Sequence, residues 1–230
     1  MKVVILAGGK GTRISEYTSS IPKPMIKIGG KPIIEHIIDY YKKFSFNDFI
    51  IASGYKSEII KKYFRNKKYK NIKVINTGIN SLTGKRIKKL QKYLNRNAFL
   101  LTYGDGVSNI NLNKLIRFHK KNRKIATMTV VHPPARFGEV KFKKNLITSF
   151  KEKPQLKRGW INGGFFVFEP TFFNILNFKN VMLEREPITK LVKKRQISAY
   201  SHKGFWYCMD NLRDKKVLEN LYKTKKAPWI

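Results

Sequence analysis

A short apolar run at the start of the chain, Val3 to Ala7, ends directly in Gly8-Gly9-Lys10-Gly11-Thr12-Arg13. An apolar run of this length bounded by glycines reads as a buried parallel strand meeting a turn. Three glycines in four positions permit positive φ and let a ligand approach the backbone closely. Successive N–H groups and the start of the next helix then form a cradle for an anion, to which Lys10 and Arg13 add charge. The loop is neither a Walker A loop, which ends in Gly-Lys-Ser/Thr, nor G-x-G-x-x-G. Its plain alternative is a glycine turn with surface charges.

The segments that follow alternate between two periodicities. Ile33, Ile34, Ile37, Ile38 and Tyr41 fall at helical spacing after Pro32, which suits a first helical turn. Phe49–Ala52, Ile72–Ile75 and Ala98–Tyr103 read as strands. Glu58–Phe64, Gly84–Leu94 and Leu112–Lys121 read as helices. The order is β-α-β-α-β-α-β-α, which predicts an α/β, Rossmann-like, mostly parallel sheet with helices on both faces. Ligands of such sheets sit at the carboxyl ends of the strands. The second half is richer in short strands: Ile125–Val131, Val140–Phe142, Ile147–Phe150 and Phe165–Phe168. The second and third flank Lys143-Lys144-Asn145, a hairpin loop. A helix over about Glu184–Lys194, a strand pair around Ala199–Tyr207 and a helix over about Leu212–Tyr222 complete the chain. The expectation is one domain over 1–230, with a nucleotide-binding half (1–124) and an acceptor-binding half (125–230).

Forty-nine Lys and Arg against 14 Asp and Glu leave a net charge of +35 on 230 residues. This raises the case for a nucleic-acid-binding protein. However, the basic residues lie throughout the chain, and only 11 are Arg, the residue suited to bidentate base and phosphate contacts. A basic enzyme surface that attracts anionic substrates fits as well and is preferred. The 42% apolar fraction excludes a disordered chain. No apolar run approaches the roughly 20 residues of a membrane span, and the first residues lack signal-peptide architecture. One cysteine, Cys208, excludes an intrachain disulfide framework. The chain reads as soluble and cytoplasmic, with Cys208 a buried structural thiol. His36 and His119 lie on helical faces and read as core or interface residues.

Pro22-Lys23-Pro24 restricts the backbone on both sides of a lysine, which suits a fixed cation beside a polyphosphate. Asp105 stands between Gly104 and Gly106 at the end of a strand, where a side chain reaches the crevice of the sheet. A turn aspartate is its plain alternative. Asp210 follows the aromatic strand Phe205-Trp206-Tyr207, and its plain alternative is a helix N-cap.

G-G-x-G-T-R at Gly8 to Arg13, followed by Pro22-Lys23-Pro24, resembles the signature of the sugar-1-phosphate nucleotidyltransferases. The resemblance extends over nearly the whole chain. It includes Tyr103-Gly104-Asp105-Gly106, Arg136-Phe137-Gly138, Phe150-Lys151-Glu152-Lys153-Pro154, Ile161-Asn162-Gly163-Gly164-Phe165-Phe166, Gly204-Phe205-Trp206 and Met209-Asp210-Asn211-Leu212-Arg213-Asp214. It is nearest to the glucose-1-phosphate cytidylyltransferase branch. Between Phe64 and Thr77, where that branch carries a longer insertion, this chain has only the basic connector Arg65 to Asn76. That departure leaves open the acceptor and the oligomeric state, a homo-oligomer included.

The resemblance implies Mg²⁺-dependent transfer from CTP to a sugar 1-phosphate, with release of pyrophosphate. It implies Asp105 and Asp210 as Mg²⁺ ligands, with Arg13 and Lys23 completing the catalytic set. Leu6, Ala7, Gly8, Gly9, Lys10, Gly11, Thr12, Arg13, Lys23, Ser81, Arg86 and Gly104 would bind the nucleotide. Ser81 and Arg86 would lie at the cytosine edge. Gly138, Glu152, Lys153, Asn162 and Gly163 would bind the sugar phosphate. The chemistry agrees: both substrates are anions, so charge neutralisation and in-line positioning are what a protein must supply. A different phosphorylated or phosphonate acceptor, or UTP, dTTP or GTP as donor, remains an alternative.

Overall fold

A computed structural model describes residues 1–66, 69, 71–134, 139–143, 145–151, 159–177 and 179–230. Its strands in chain order are β1 (Val3–Ala7), β2 (Lys27–Ile28), β3 (Lys31–Pro32), β4 (Phe49–Ser53), β5 (Ile72–Asn76), β6 (Phe99–Tyr103), β7 (Gly106–Ser108), β8 (Ala126–Val131), β9 (Glu139–Lys143), β10 (Leu146–Lys151), β11 (Ile161–Phe168), β12 (Ile197–His202) and β13 (Trp206–Cys208). The helices are α1 (Ser15–Thr18), α2 (Ile33–Lys42), α3 (Ser57–Asn66), α4 (Thr83–Lys89), α5 (Gln91–Leu94), α6 (Leu112–Asn122), α7 (Glu186–Lys193) and α8 (Leu212–Lys223).

The main sheet has seven strands in the order β12-β8-β11-β6-β1-β4-β5. β1 pairs in parallel with β4 and β6, and β4 with β5, as the alternating pattern predicts. β11 enters antiparallel between β6 and β8. The sheet is therefore mostly parallel with one reversed strand, and it takes strands from both halves of the sequence.

All five residues of β1 are buried, because both faces of the sheet are covered. Val3 and Ile5 pack into one core with Phe49, Ile51 and residues of α2 and α8. Val4 and Leu6 pack into the other with Ile50, Leu101 and Phe166. The period-2 alternation of a strand makes this division. His36 and His119 lie in the interior, as expected. His36 Nε2 meets the Ile28 carbonyl at 2.9 Å, and His119 bridges Thr127 and Glu169. Among the described residues, no helix is long and apolar enough to cross a membrane.

Two expectations change in detail. The helix expected over Gly84–Leu94 is divided into α4 and α5 at Leu90, whose φ of −91° and ψ of 0° break the regular turn. The two strands expected as a pair around Ala199–Tyr207 do not pair with each other. β12 joins the main sheet beside β8, and β13 pairs with β7. The hairpin of β9 and β10 forms as expected; Lys144 in its connection lies outside the described residues.

Candidate active site

The carboxyl ends of the parallel strands β1, β4 and β6 lie along one edge of the sheet. Gly8 leaves β1 under the guanidinium of Arg86, and a Cβ there would overlap Nη1 of that side chain. Gly11 has a φ of 66°, and a Cβ on it would lie 2.9 Å from the Thr18 methyl group and 3.0 Å from Cβ of Lys23. Both positions therefore need glycine, one for space and one for conformation as well. Leu6 and Ala7 are buried, whereas Gly9, Lys10 and Thr12 are exposed at the mouth of the loop. Gly104 ties the end of β6 to β1 through its N–H, which donates to the Leu6 carbonyl at 3.0 Å.

Pro22 is extended and leads Lys23, Pro24 and Met25 into a buried 3₁₀ turn. Lys23 is only 8% exposed. Its Nζ donates to Asp105 Oδ2 at 2.6 Å and Asp210 Oδ1 at 2.9 Å. Arg13, exposed on the turn Thr12–Ile14, donates from Nη1 to Asp210 Oδ2 at 2.7 Å. The four residues expected to carry the chemistry thus meet, although up to 197 positions separate them in the chain.

The short ladder of β7 and β13 makes this meeting possible. It pairs Gly106 with Cys208, and the Met209 N–H donates to the Asp105 carbonyl at 2.9 Å. The two aspartates therefore emerge side by side from the end of one ladder. Helix α8 begins immediately after, with Asn211 as its N-cap. The Asn211 side chain accepts from the Asp214 N–H, and the Asp214 carboxylate accepts from the N–H groups of Asn211 and Asp210. The capping work falls on Asn211, which leaves the Asp210 carboxylate to Lys23 and Arg13.

The electrostatics follow from this crowding. Burial works against the charge on Lys23, but Asp105 and Asp210 outweigh it and raise the ammonium above its ordinary range. Burial also opposes the charge on Asp210, but Lys23 and then Arg13 hold its carboxyl below the usual value. Cys208, expected as a buried thiol, is half-buried; its Sγ lies 3.7 Å from Asp210 Oδ1. Burial, with Asp105 beside it, pushes that thiol well above the usual range.

Asp105, Asp210 and Cys208 each bring one potential ligand atom within 4.8 Å of the others. Two carboxylates as the leading donors suit a hard divalent cation that keeps other positions for water and phosphate oxygens. The Lys23 ammonium already stands between them as a cation would. The residues therefore fit such an ion.

Arg86 takes a different position from a residue at a base edge. It is 4% exposed. Its Nη1 donates to Thr77 Oγ1 at 2.7 Å and to the Gly78 and Ser53 carbonyls at 2.8 and 3.1 Å. Its Nη2 donates to the Gly8 and Ile79 carbonyls at 2.7 and 3.3 Å. The guanidinium ties together the loops that leave β1, β4 and β5. Ser81 is also buried; its hydroxyl donates to the Thr77 carbonyl at 2.6 Å and receives Lys89 at 3.3 Å.

Asn162 and Gly163 lie on β11, which neighbours β6 in the sheet. The Asn162 amide donates to the Tyr103 hydroxyl at 3.3 Å, and the Gly163 carbonyl accepts from the Trp206 indole at 2.6 Å. Gly138, Glu152 and Lys153 fall outside the described residues. Three further polar residues of this region were not singled out: Tyr103, Glu184 and Asn180. Asn180 clamps the Ser81 loop, accepting from the Leu82 N–H at 2.8 Å and donating to the Asn80 carbonyl at 2.9 Å. The scarcity of acids, 14 in all, is the one sequence signal that could have drawn attention to Glu184.

Residues 2–207 match the family described as nucleotidyl transferase. The chain is 42% identical over 253 aligned residues to a glucose-1-phosphate cytidylyltransferase of Salmonella typhimurium, with 100% of this chain and 98% of that protein covered. It is 38% identical to a probable glucose-1-phosphate cytidylyltransferase of Bacillus subtilis, with 100% of this chain and 99% of that protein covered. A UDP-glucose pyrophosphorylase structure in complex with UDP-glucose shares the fold, with a TM-score of 0.75, 19% identity, and coverage of 97% of this chain and 98% of that one.

Proposed function

This chain belongs to the nucleotidyl transferase family, and from that premise we propose that it transfers the cytidylyl group of CTP to glucose 1-phosphate, giving CDP-glucose and pyrophosphate. The identity of 42% over its full length to a curated enzyme of that activity is the observation that carries the choice of substrates. The meeting of Lys23, Asp105, Asp210 and Arg13 at the carboxyl end of the sheet supports the reaction type.

A phosphate oxygen of the acceptor attacks the α-phosphorus of the triphosphate, and pyrophosphate leaves. No covalent enzyme intermediate is required. Asp105 and Asp210 would hold Mg²⁺, which supplies charge neutralisation and a template for the phosphate oxygens when bound. Lys23, kept charged by its carboxylate neighbours, and Arg13 offset the negative charge that gathers on the triphosphate. The backbone N–H groups of residues 8–12 cradle the phosphates, and Lys10 adds a mobile cation at the rim. Arg86 holds the loops of that cradle in place. Asn162 and Gly163 bind the sugar. Residues 1–124 act as the nucleotide-binding half and 125–230 as the acceptor-binding half of one domain.

The test is pyrophosphate release with CTP, UTP, dTTP and GTP, each against a panel of hexose 1-phosphates with Mg²⁺ present. CTP with glucose 1-phosphate is expected to give the highest kcat/KM. Equal use of UTP or dTTP would overturn the choice of base, and equal use of another hexose would overturn the choice of acceptor.

A further inference from the structure

Glu184 lies two residues before α7, in a segment that Asn180 and the Leu183 N–H tie to the loop of Ser81 and to Thr83. Both of its carboxylate oxygens are fixed. Oε1 accepts from the Tyr103 hydroxyl, and Oε2 accepts from the Thr83 hydroxyl at 2.8 Å. Each partner is itself held. Thr83 Oγ1 also accepts from the Leu183 N–H at 2.7 Å, and the Tyr103 oxygen accepts from the Asn162 amide. Gly164 leaves no room for a side chain above the Tyr103 ring. The result is a directed chain, from amide to phenol to carboxylate. Burial, and then the neighbouring carboxylate, keep the Tyr103 phenol protonated and therefore a donor.

Glu184 is nevertheless exposed. A carboxylate oxygen can accept two hydrogen bonds, so each oxygen retains a lone pair on the open side. An ionised carboxylate only accepts. It favours hydroxyl groups and repels phosphate or another carboxylate. In a chain of net charge +35, a fixed negative group joined to Asn162 through the Tyr103 hydroxyl has a selective effect that a lysine would not.

We propose that Glu184 reads the sugar end of the acceptor, accepting hydrogen bonds from the hydroxyls of a neutral hexose and rejecting acceptors that carry a second anionic group there. The proposal rests on the reading of this crevice as a nucleotidyltransferase site and adds a specificity-determining residue to it. Tyr103 is its positioning residue, because it holds the carboxylate in place.

The experiment compares glucose 1-phosphate with glucuronic acid 1-phosphate and glucose 1,6-bisphosphate as acceptors, at saturating CTP. The wild-type chain is expected to prefer the neutral sugar by about tenfold or more in kcat/KM, the scale of one unfavourable polar contact in a binding site. Glu184→Gln keeps the shape and removes the charge. It should raise the KM for glucose 1-phosphate about fivefold, leave the KM for CTP within about twofold, and shrink the preference over the anionic sugars at least fivefold. Glu184→Asp keeps the charge and should retain most of the preference, a result that a purely structural role does not produce. Tyr103→Phe should weaken the preference in the same direction. An active Glu184→Gln enzyme with an unchanged preference would overturn the role of Glu184 alone. Failure of the wild-type chain to use CTP with any hexose 1-phosphate would overturn the functional reading and the role of Glu184 with it.

Discussion

Replacing Arg86 with alanine removes a side chain that joins three loops at the mouth of the sheet. Its two terminal nitrogens make five hydrogen bonds, four of them to backbone carbonyls. A hydrogen bond from a charged donor contributes about 1.5–3 kcal/mol, but these five do not add. The Gly8 carbonyl also accepts from the Tyr55 N–H, the Ser53 carbonyl from the Thr77 N–H, and the Gly78 carbonyl from the Ser81 N–H. The Ile79 carbonyl belongs to an exposed residue and can turn to water. Water can also enter the polar space left by the guanidinium. A net loss of about 3 kcal/mol follows, which for a chain of this size lowers Tm by about 6–12 °C. Thermal denaturation followed by circular dichroism measures it. Gly8→Ala provides an independent check, because its Cβ would overlap the guanidinium and must displace it. It should lower Tm in the same direction. In both variants kcat/KM for CTP should fall together with Tm, while the KM for the sugar phosphate stays near wild type. An Arg86→Ala protein that melts within about 2 °C of wild type and loses only CTP affinity would refute the reasoning. The guanidinium would then serve the nucleotide directly.

Other perturbations probe the acid cluster. Asp105→Asn and Asp210→Asn are each expected to lower kcat at least about a hundredfold at saturating Mg²⁺, the scale of losing one electrostatic stabiliser, with an unchanged far-UV spectrum. Near wild-type turnover in either would count against its place in the metal site. The folded-state pKa of Asp210 lies below its ordinary 3.8, so its contribution to stability is present above that value and is lost as pH falls through the lowered one. Tm of the wild type should drop more steeply below pH 4 than that of Asp210→Asn. The pKa of Lys23 is raised above 10.5, so its contribution is complete below that pH and is lost as pH rises through the higher value. Lys23→Met should flatten the alkaline limb of Tm against pH, and an unaltered limb would contradict the ion-pair assignment. Cys208, held protonated by burial and the adjacent Asp105, should react with iodoacetamide at pH 8 at least about tenfold more slowly in the native protein than in the denatured one. Equal rates would show an open thiol.

Much of the first half was legible because its signals are local. The apolar run Val3–Ala7, the glycines after it and the 3.6-residue spacing of Ile33 to Tyr41 each act within one or two turns of chain, and β1 and α2 form where they predict. The second half was less legible. β11 reads as a strand, but its apolar composition does not state that it runs antiparallel between β6 and β8. Nor does the sequence near Ala199–Tyr207 show that one strand completes the main sheet while the next pairs with Gly106–Ser108. Strand partnership depends on which edges are free after the rest has packed, a property of the whole fold.

The candidate site divides in the same way. The sequence by itself determined that a glycine-rich loop follows the first strand, that Lys23 is fixed between two prolines, and that Asp105 and Asp210 are singular acids in a strongly basic chain. Backbone conformation and composition are written residue by residue, so these features need no partner to be read. Only the tertiary structure decided which cations meet which anions. Lys23 is one of many lysines; the turn that buries it and the β7–β13 ladder place it against both aspartates. Arg86, readable as a base contact, became a buried tie between loops, and Glu184, which no motif marks, was fixed by Thr83 and Tyr103. Hydrogen bonds and ion pairs act over a few ångströms of space and are indifferent to distance along the chain, so their partners are known only once the chain has folded.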